Sequence, residues 1–128
     1  MLGGSAKPEM KYCPICQITC DYRTKHCRKC QVCIERYDHH CFWIGNCVGR
    51  HNHRPFYLFL LFQTLNNISN MMALSHLTTY LDLLKIDLGW FIWLIVLSVK
   101  LIALGFVFFT GFLLIYHTML ILNGQTTW

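Results

Sequence analysis

Four consecutive residues, Asp38-His39-His40-Cys41, place a carboxylate, two imidazoles and a thiol side by side. An imidazole within hydrogen-bond reach can hold the proton of a thiol, and a carboxylate on its other ring nitrogen fixes its tautomer. If the four residues are extended, His39 and Cys41 share one face while His40 turns to the other. The tetrapeptide therefore indicates a thiolate nucleophile with its own base, although Cys41 could instead be a spare metal ligand or an inert buried thiol.

Cysteines surround this tetrapeptide, and all eight lie between Cys13 and Cys47. In a reducing compartment, C-x-x-C steps hold zinc more often than they form disulfides. Six sulfurs and two imidazoles suffice for two closed tetrahedral sites of three cysteines and one histidine. The candidate ligands are Cys13, Cys16, His26, Cys27, Cys30, Cys33, His40 and Cys47. Spacing alone does not show which two cysteines stand outside the metal sites, and Cys20 and Cys41 are the candidates.

The chain is 55% hydrophobic, and most of its apolar residues follow the cysteines. Asp82, Lys85 and Asp87 divide this apolar part in two, because charges are costly in hydrocarbon. We expect an α-helical membrane protein with two transmembrane helices and a small zinc-stabilised cytosolic domain of short strands and loops. The expected order is a leader (1–11), the cysteine-rich domain (12–53), a transmembrane helix (55–81), a lumenal loop (82–88), a second transmembrane helix (89–122) and the start of a cytosolic tail (123–128).

Polar residues inside the apolar part constrain how the two helices are used. Gln63, Asn66, Asn67 and Asn70 recur at helical spacing, so they form one stripe that should face other helices instead of lipid. The second helix is longer than the ~20 residues that one span needs. Either the span covers residues 101–121 with Lys100 snorkelling at the far interface, or a longer tilted helix turns Lys100 towards polar groups of the bundle.

Nine of the eleven Lys and Arg residues precede the apolar part. The positive-inside rule therefore places the cysteine-rich domain in the cytosol. Basic residues beside a span meet anionic lipid and can also attract an acidic cofactor such as an acyl-CoA. Nucleic acid is not an expected partner, because zinc knuckles that bind RNA are not usually tethered to a bilayer.

Several motifs together resemble the cysteine-rich domain of the DHHC protein S-acyltransferases, or palmitoyltransferases. They are His26-Cys27-x-x-Cys30-x-x-Cys33, Asp38-His39-His40-Cys41, Asn46-Cys47-Val48-Gly49, Asn52 and Phe56, followed after two spans by Thr126-Thr127, which is similar to the family's Thr-Thr-x-Glu. The resemblance implies one zinc held by Cys13, Cys16, His26 and Cys33, and a second held by Cys27, Cys30, His40 and Cys47. It also implies Cys41 as the nucleophile, His39 as the general base and Asp38 as the residue that orients His39.

The activity that the resemblance implies is a ping-pong transfer. A long-chain acyl group would pass from an acyl-CoA such as palmitoyl-CoA to Cys41, and then to a cysteine of a substrate protein at the membrane. The enzyme would be a multi-pass protein of the Golgi or endoplasmic reticulum membrane with its active site facing the cytosol. The alternative is a zinc-stabilised membrane adaptor, or an inactive fragment, in which the triad is idle.

This chain departs from the family pattern in places. It has Cys20-Asp21 where members usually have Lys-Pro, and Phe42 where they have Pro after the nucleophile. Cys20 is thus an extra thiol that can be a surface residue, an acylation site of its own or an alternative ligand. Members usually have two further spans before the cysteine-rich domain and a tail after Thr-Thr-x-Glu. We therefore expect the chain to be a fragment of a four-helix architecture.

Overall fold

A computed structural model describes residues 9–86 and 89–128. The chain divides into two compact units, one made of Met1–Phe56 with Leu120–Trp128 and the other of Tyr57–Met119. Residues 1–8 of the predicted leader lie outside the described residues, as do residues 87–88 of the predicted loop. All eight cysteines belong to the first unit, which therefore carries the candidate site.

Three antiparallel hairpins follow one another in the first unit. Their strands are β1 (Met10–Cys13), β2 (Ile18–Asp21), β3 (Lys25–Cys27), β4 (Val32–Ile34), β5 (His39–Cys41) and β6 (Asn46–Val48). The predicted short strands are thus present, although β1 begins two residues before the expected start of the domain. The innermost pairs have the same register in all three hairpins, namely Cys13 with Ile18, Cys27 with Val32 and Cys41 with Asn46.

Each hairpin closes through a residue in the left-handed conformation. These are Gln17 (φ 54°), Gln31 (φ 57°) and Gly45 (φ 61°). Glutamine rarely adopts a positive φ, so the conformational freedom of glycine does not explain the loop geometry at Gln17 and Gln31. Contacts outside the loop residue itself must impose it. Two-stranded hairpins are marginal on their own, and the largest fully buried side chains among the described residues are those of Val48 and Asp38. The first unit therefore needs a source of stability beyond an apolar core.

A tight turn after β6 fixes the start of the first helix. Asn52 donates from Nδ2 to the Cys47 carbonyl oxygen (2.8 Å) and accepts the Gly49 N–H at Oδ1 (2.9 Å). A Cβ at Gly49 would lie 2.6 Å from Ile34 Cγ2 and 2.8 Å from the Glu35 carbonyl oxygen. Glycine and asparagine are therefore required at these two positions, which explains the Asn46-Cys47-Val48-Gly49 and Asn52 motifs in structural terms.

Two long helices follow, α1 (His53–Leu83) and α2 (Gly89–Leu122). Among the described residues, α2 alone is long and apolar enough to cross a membrane, and its most apolar stretch has no residue buried within the chain. Helix α1 does not meet that standard of apolarity, so its use as a second span stays a prediction. Helix α1 also runs two residues beyond the expected end at residue 81.

Polar contacts join α1 and α2 in an antiparallel arrangement within the second unit. They are Tyr57 Oη with Thr118 Oγ1 (2.9 Å), Asn67 Nδ2 with Thr110 Oγ1 (3.3 Å) and Lys100 Nζ with Thr78 Oγ1 (2.7 Å). Gln63 and Asn67 of the predicted stripe are half-buried and bonded to each other, whereas Asn66 and Asn70 are exposed. Lys100 points to a hydroxyl of α1, which matches the longer-helix alternative.

Candidate active site and metal centres

The first candidate metal centre joins the first two hairpins. Its donor atoms lie within 4.8 Å of one another and belong to Cys13, Cys16, His26 and Cys33. His26 and Cys33 are cross-strand partners in the second hairpin. The Nδ1 atom of His26 lies 3.1 Å from Cys16 Sγ and 3.9 Å from Cys33 Sγ, so Nδ1 is the nitrogen aimed at the centre of the cluster.

The second candidate metal centre joins the second and third hairpins in the same manner. Its donors belong to Cys27, Cys30, His40 and Cys47. The Nδ1 atom of His40 lies 3.7, 3.3 and 3.5 Å from the sulfurs of Cys27, Cys30 and Cys47. The sulfurs of Cys30 and Cys47 are 3.4 Å apart. The two groupings are those that the family resemblance implies.

These distances fit a tetrahedral zinc ion. With Zn–S of about 2.3 Å and Zn–N of about 2.0 Å, the edges of the tetrahedron are roughly 3.5 Å for S···N and 3.8 Å for S···S. All four positions are protein donors, so a bound ion would stabilise the fold and would leave no open position for water. Because structural zinc contributes folding free energy directly, it can supply the stability that the small core lacks.

The electrostatics of the thiols point to the same need for a cation. Burial and the hydrogen-bonded thiols of Cys13 and Cys16 raise the pKa of Cys33 to about 12. Burial and the thiols of Cys27 and Cys30 raise the pKa of Cys47 to about 12 as well. Three thiolates so close together repel one another. A divalent cation at the centre of each cluster removes this penalty, which makes the residues suited to zinc.

The third chemical group is the pair of Cys41 and His39 at the two ends of β5. Cys41 is buried and belongs to neither metal cluster. It hydrogen-bonds to the His39 ring, and His39 Nδ1 lies 2.7 Å from Asp38 Oδ2. With Nδ1 engaged, Nε2 is the ring atom left for the thiol. Neighbouring His40 turns to the second metal cluster, so the strand separates the two imidazoles by face.

The Asp38 carboxylate also sets the electrostatics of His39. Its hydrogen bond to the ring is the largest cause that raises the pKa of His39 above the ordinary value, while burial acts in the opposite direction. The Cys41 sulfur contributes to the increase. The imidazolium form is therefore more stable than in an isolated histidine, which would suit a base that accepts a thiol proton.

Asp38 is itself held from several directions and is only 1% exposed. Its N–H donates to the Val48 carbonyl oxygen (2.9 Å). Thr127 donates its N–H to Asp38 Oδ1 (2.6 Å) and its hydroxyl to the Asp38 carbonyl oxygen (2.7 Å). Thr127 therefore contacts both the carboxylate and the main-chain carbonyl of Asp38. The Thr126-Thr127 motif was visible in the sequence, but the sequence did not show that Thr127 contacts Asp38.

Aromatic contacts near Asp38 were not foreseen from the sequence. The Phe56 ring packs edge-on against the His39 ring, with centroids 5.2 Å apart. The Trp128 ring packs edge-on against Tyr37 (6.2 Å between centroids), with the Nζ atoms of Lys11 and Lys25 within 4.8 and 4.9 Å of its centroid. These contacts hold the segment that carries Thr127 against the domain.

Cys20, the other cysteine predicted to stand outside the metal sites, lies half-buried in β2 opposite Lys11. It belongs to neither metal cluster. It has no imidazole partner among the hydrogen bonds of the described residues. Of the two thiols outside the clusters, Cys41 is therefore the one equipped with a base.

Comparison with known proteins agrees with this site. The family model of the DHHC palmitoyltransferase matches residues 6–128. A search of curated proteins found no match. The match covers nearly the whole chain, including both metal clusters, the Asp38-His39-His40-Cys41 tetrapeptide and both helices. The chain therefore belongs to the DHHC palmitoyltransferase family.

Proposed function

We propose that this chain is a protein S-acyltransferase that moves a long-chain fatty acyl group from an acyl-CoA to Cys41, and then to a cysteine of a substrate protein. The observation that carries the proposal is the Cys41–His39–Asp38 array, in which Cys41 and Asp38 are buried and His39 is half-buried, and which uses no residue of the two metal clusters. A structural zinc domain has no use for a free thiol beside a histidine and a buried carboxylate. A thiol acyltransferase needs that combination.

In the first half-reaction, Cys41 passes its proton to Nε2 of His39 and the thiolate attacks the carbonyl carbon of the acyl-CoA thioester. A new C–S bond forms at Cys41, the C–S bond to CoA breaks, and the departing CoA thiolate takes the proton from His39. The Asp38 carboxylate at 2.7 Å stabilises the imidazolium that exists between the two proton transfers. Acyl-Cys41 and CoA are the products.

In the second half-reaction, the thiol of a substrate protein passes its proton to His39 and attacks acyl-Cys41. The Cys41 thiolate leaves and recovers the proton. Each half-reaction exchanges one thioester for another, so the cycle needs no external energy source. The eight metal-cluster residues would hold two zinc ions, whose chemistry is to fix the fold that presents Cys41.

Membrane placement follows from the acyl donor. At ~0.8 kcal/mol per buried CH₂, a long acyl chain remains in hydrocarbon while its thioester reaches the polar surface. We propose that α1 spans the bilayer beside α2, which makes the protein multi-pass, and that the cysteine-rich domain faces the cytosol of an endomembrane (Golgi or endoplasmic reticulum). The excess of Lys and Arg before α1 supports this orientation.

Positive charge in the first unit suits the phosphates of an acyl-CoA. An open hollow of about 520 Å³ is lined by Arg36, Arg50 and Arg54 among other residues. Glu35 balances the charge of Arg50 (3.1 Å), and Arg36 and Arg54 still leave the hollow with a net positive charge. Such a surface attracts anions near a membrane, which supports acyl-CoA and anionic lipid as proposed partners.

Acyl loading of the purified chain tests the proposal. The chain in detergent is incubated with labelled palmitoyl-CoA and then treated with hydroxylamine, which cleaves thioesters. We expect hydroxylamine-labile label on the wild type and on Cys20→Ser, and none on Cys41→Ser. Label that persists unchanged in Cys41→Ser would refute Cys41 as the nucleophile, and absence of label from all three chains would favour the adaptor.

A further inference from the structure

The three hairpins are copies of one structural unit. Fourteen residues separate Cys13 from Cys27 and Cys27 from Cys41, and the same interval separates Gln17, Gln31 and Gly45. The innermost strand pair, the four-residue loop and the positive φ at its last position are the same in each copy. Positions can therefore be compared from one hairpin to the next.

This comparison reveals a rule for the metal centres. Each centre takes two cysteines from the turn end of one hairpin and a cross-strand His–Cys pair from the next hairpin. One cysteine is the last residue of the first strand and the other is the third residue of the loop, namely Cys13 and Cys16 in the first hairpin, and Cys27 and Cys30 in the second. We call such a strand end and loop with its two thiols a metal knuckle.

The third hairpin keeps half of a metal knuckle. Cys41 stands at the position of Cys13 and Cys27, whereas Ile44 stands at the position of Cys16 and Cys30. The third hairpin still supplies its His–Cys pair, His40 and Cys47, to the second centre. The nucleophile therefore occupies a metal-ligand position whose second thiol has been replaced by an aliphatic side chain.

In the first two hairpins the loop backbone stabilises the first sulfur. The Cys13 sulfur accepts hydrogen bonds from the backbone N–H groups of Cys16 and Ile15. The Cys27 sulfur accepts them from the N–H groups of Cys30 and Lys29, which stand at the same loop positions. Consecutive N–H groups aimed at one point form an anion-binding nest.

We propose that the third hairpin is a metal knuckle that has lost one ligand, and that its loop holds the Cys41 sulfur with the N–H groups of Trp43 and Ile44. The catalytic meaning of this claim rests on the proposed function, whereas the geometric claim does not. The loop gives Cys41 the fixed position of a ligand sulfur. Ile44 prevents a chelating pair, so no metal ion competes with the acyl group for the sulfur lone pair.

Restoring the missing ligand tests the geometric claim without acyl transfer. Ile44→Cys recreates the C-x-x-C spacing with Cys41, and Cd²⁺ is the probe because soft cations select paired thiolates. Metal analysis after Cd²⁺ exchange should give three ions per chain for Ile44→Cys. It should give two for the wild type, for Trp43→Cys, which places the added thiol off the knuckle position, and for the double variant Cys41→Ser/Ile44→Cys. A folded Ile44→Cys chain that binds only two ions would overturn the proposal. Because Cd²⁺ binding requires no acyl-CoA, failure here is distinguishable from failure of the acyltransferase proposal.

Discussion

Replacement of Asp38 by asparagine probes the central array most sharply. Both carboxylate oxygens of Asp38 accept hydrogen bonds, Oδ2 from the His39 ring (2.7 Å) and Oδ1 from the Thr127 N–H (2.6 Å). An amide has one oxygen and one NH₂ group. The Thr127 donor is a backbone N–H and cannot become an acceptor, so it will donate to the amide oxygen of the introduced asparagine. The NH₂ group of the introduced asparagine must then face Nδ1 of His39.

An NH₂ group facing Nδ1 forces the imidazole to carry its proton on Nε2, the atom that should accept the proton of Cys41. Loss of a hydrogen bond to a buried charged group costs about 1.5–3 kcal/mol, which is roughly a tenfold to hundredfold slower reaction. The inverted tautomer adds to this loss, and in a Ser-His-Asp triad the same change costs about 10⁴-fold. We expect Asp38→Asn to slow acyl loading by about 10²- to 10⁴-fold.

The assay is single-turnover loading of labelled palmitoyl-CoA onto the purified chain, with zinc content and thermal stability measured on the same sample. The array and the metal clusters use different residues, so the variant should keep two zinc ions. Loading at the wild-type rate by a folded, zinc-replete Asp38→Asn chain would refute the role given to this carboxylate. Loss of zinc would instead show that Asp38 serves the fold.

Other changes separate the structural residues from the chemical ones. His40→Ala should remove one zinc ion and unfold the domain, whereas His39→Ala should keep both ions and slow acyl loading. Equal metal loss in the two variants would contradict the claim that His40 faces the metal centre and His39 faces Cys41. Thr127→Ala loses a 2.7 Å hydrogen bond to the Asp38 carbonyl oxygen, so the rate of acyl loading should fall about two- to tenfold. The control is Thr126→Ala, which should slow loading less, because the Thr126 hydroxyl bonds to the Trp128 carbonyl oxygen instead. Gly49→Ala should lower the melting temperature strongly, because the added Cβ would collide with Ile34 and Glu35. Gly45→Gln should not lower it, because no atom lies within 4 Å of a Cβ at residue 45 and glutamine adopts this φ in both other hairpins. Similar melting temperatures for the two variants would argue against the contacts at Gly49.

Local spacing made several features of this chain predictable. C-x-x-C steps nominated the metal ligands, and alternation along an extended strand anticipated that His39 and Cys41 lie on one face with His40 on the other. The charges from Asp82 onward marked the end of the first helix to within two residues. These signals are short-range, because a ligand pair or a strand face is defined by neighbours in the sequence.

Features that depend on distant residues were out of reach. Nothing in Thr126-Thr127 states that Thr127 bonds to Asp38, 89 residues earlier. The hydrogen bond from Lys100 to Thr78 favours the longer tilted helix, which the sequence offered only as the alternative to a span over residues 101–121. A fourteen-residue interval relates the cysteines and histidines of the sequence, but the interval alone does not show that it is a structural repeat. The matching hairpins, with a left-handed φ at Gln17, Gln31 and Gly45, show that it is one.

The bond between Asp38 and Thr127 has a consequence for the timing of biosynthesis. A ribosome releases the tetrapeptide early, and it releases Thr127 only after both helices have been made. Until then, one oxygen of Asp38 lacks its backbone donor, and the carboxylate can rotate away from its imidazole. We therefore expect His39 and Asp38 to reach the arrangement described here only after both helices have been made.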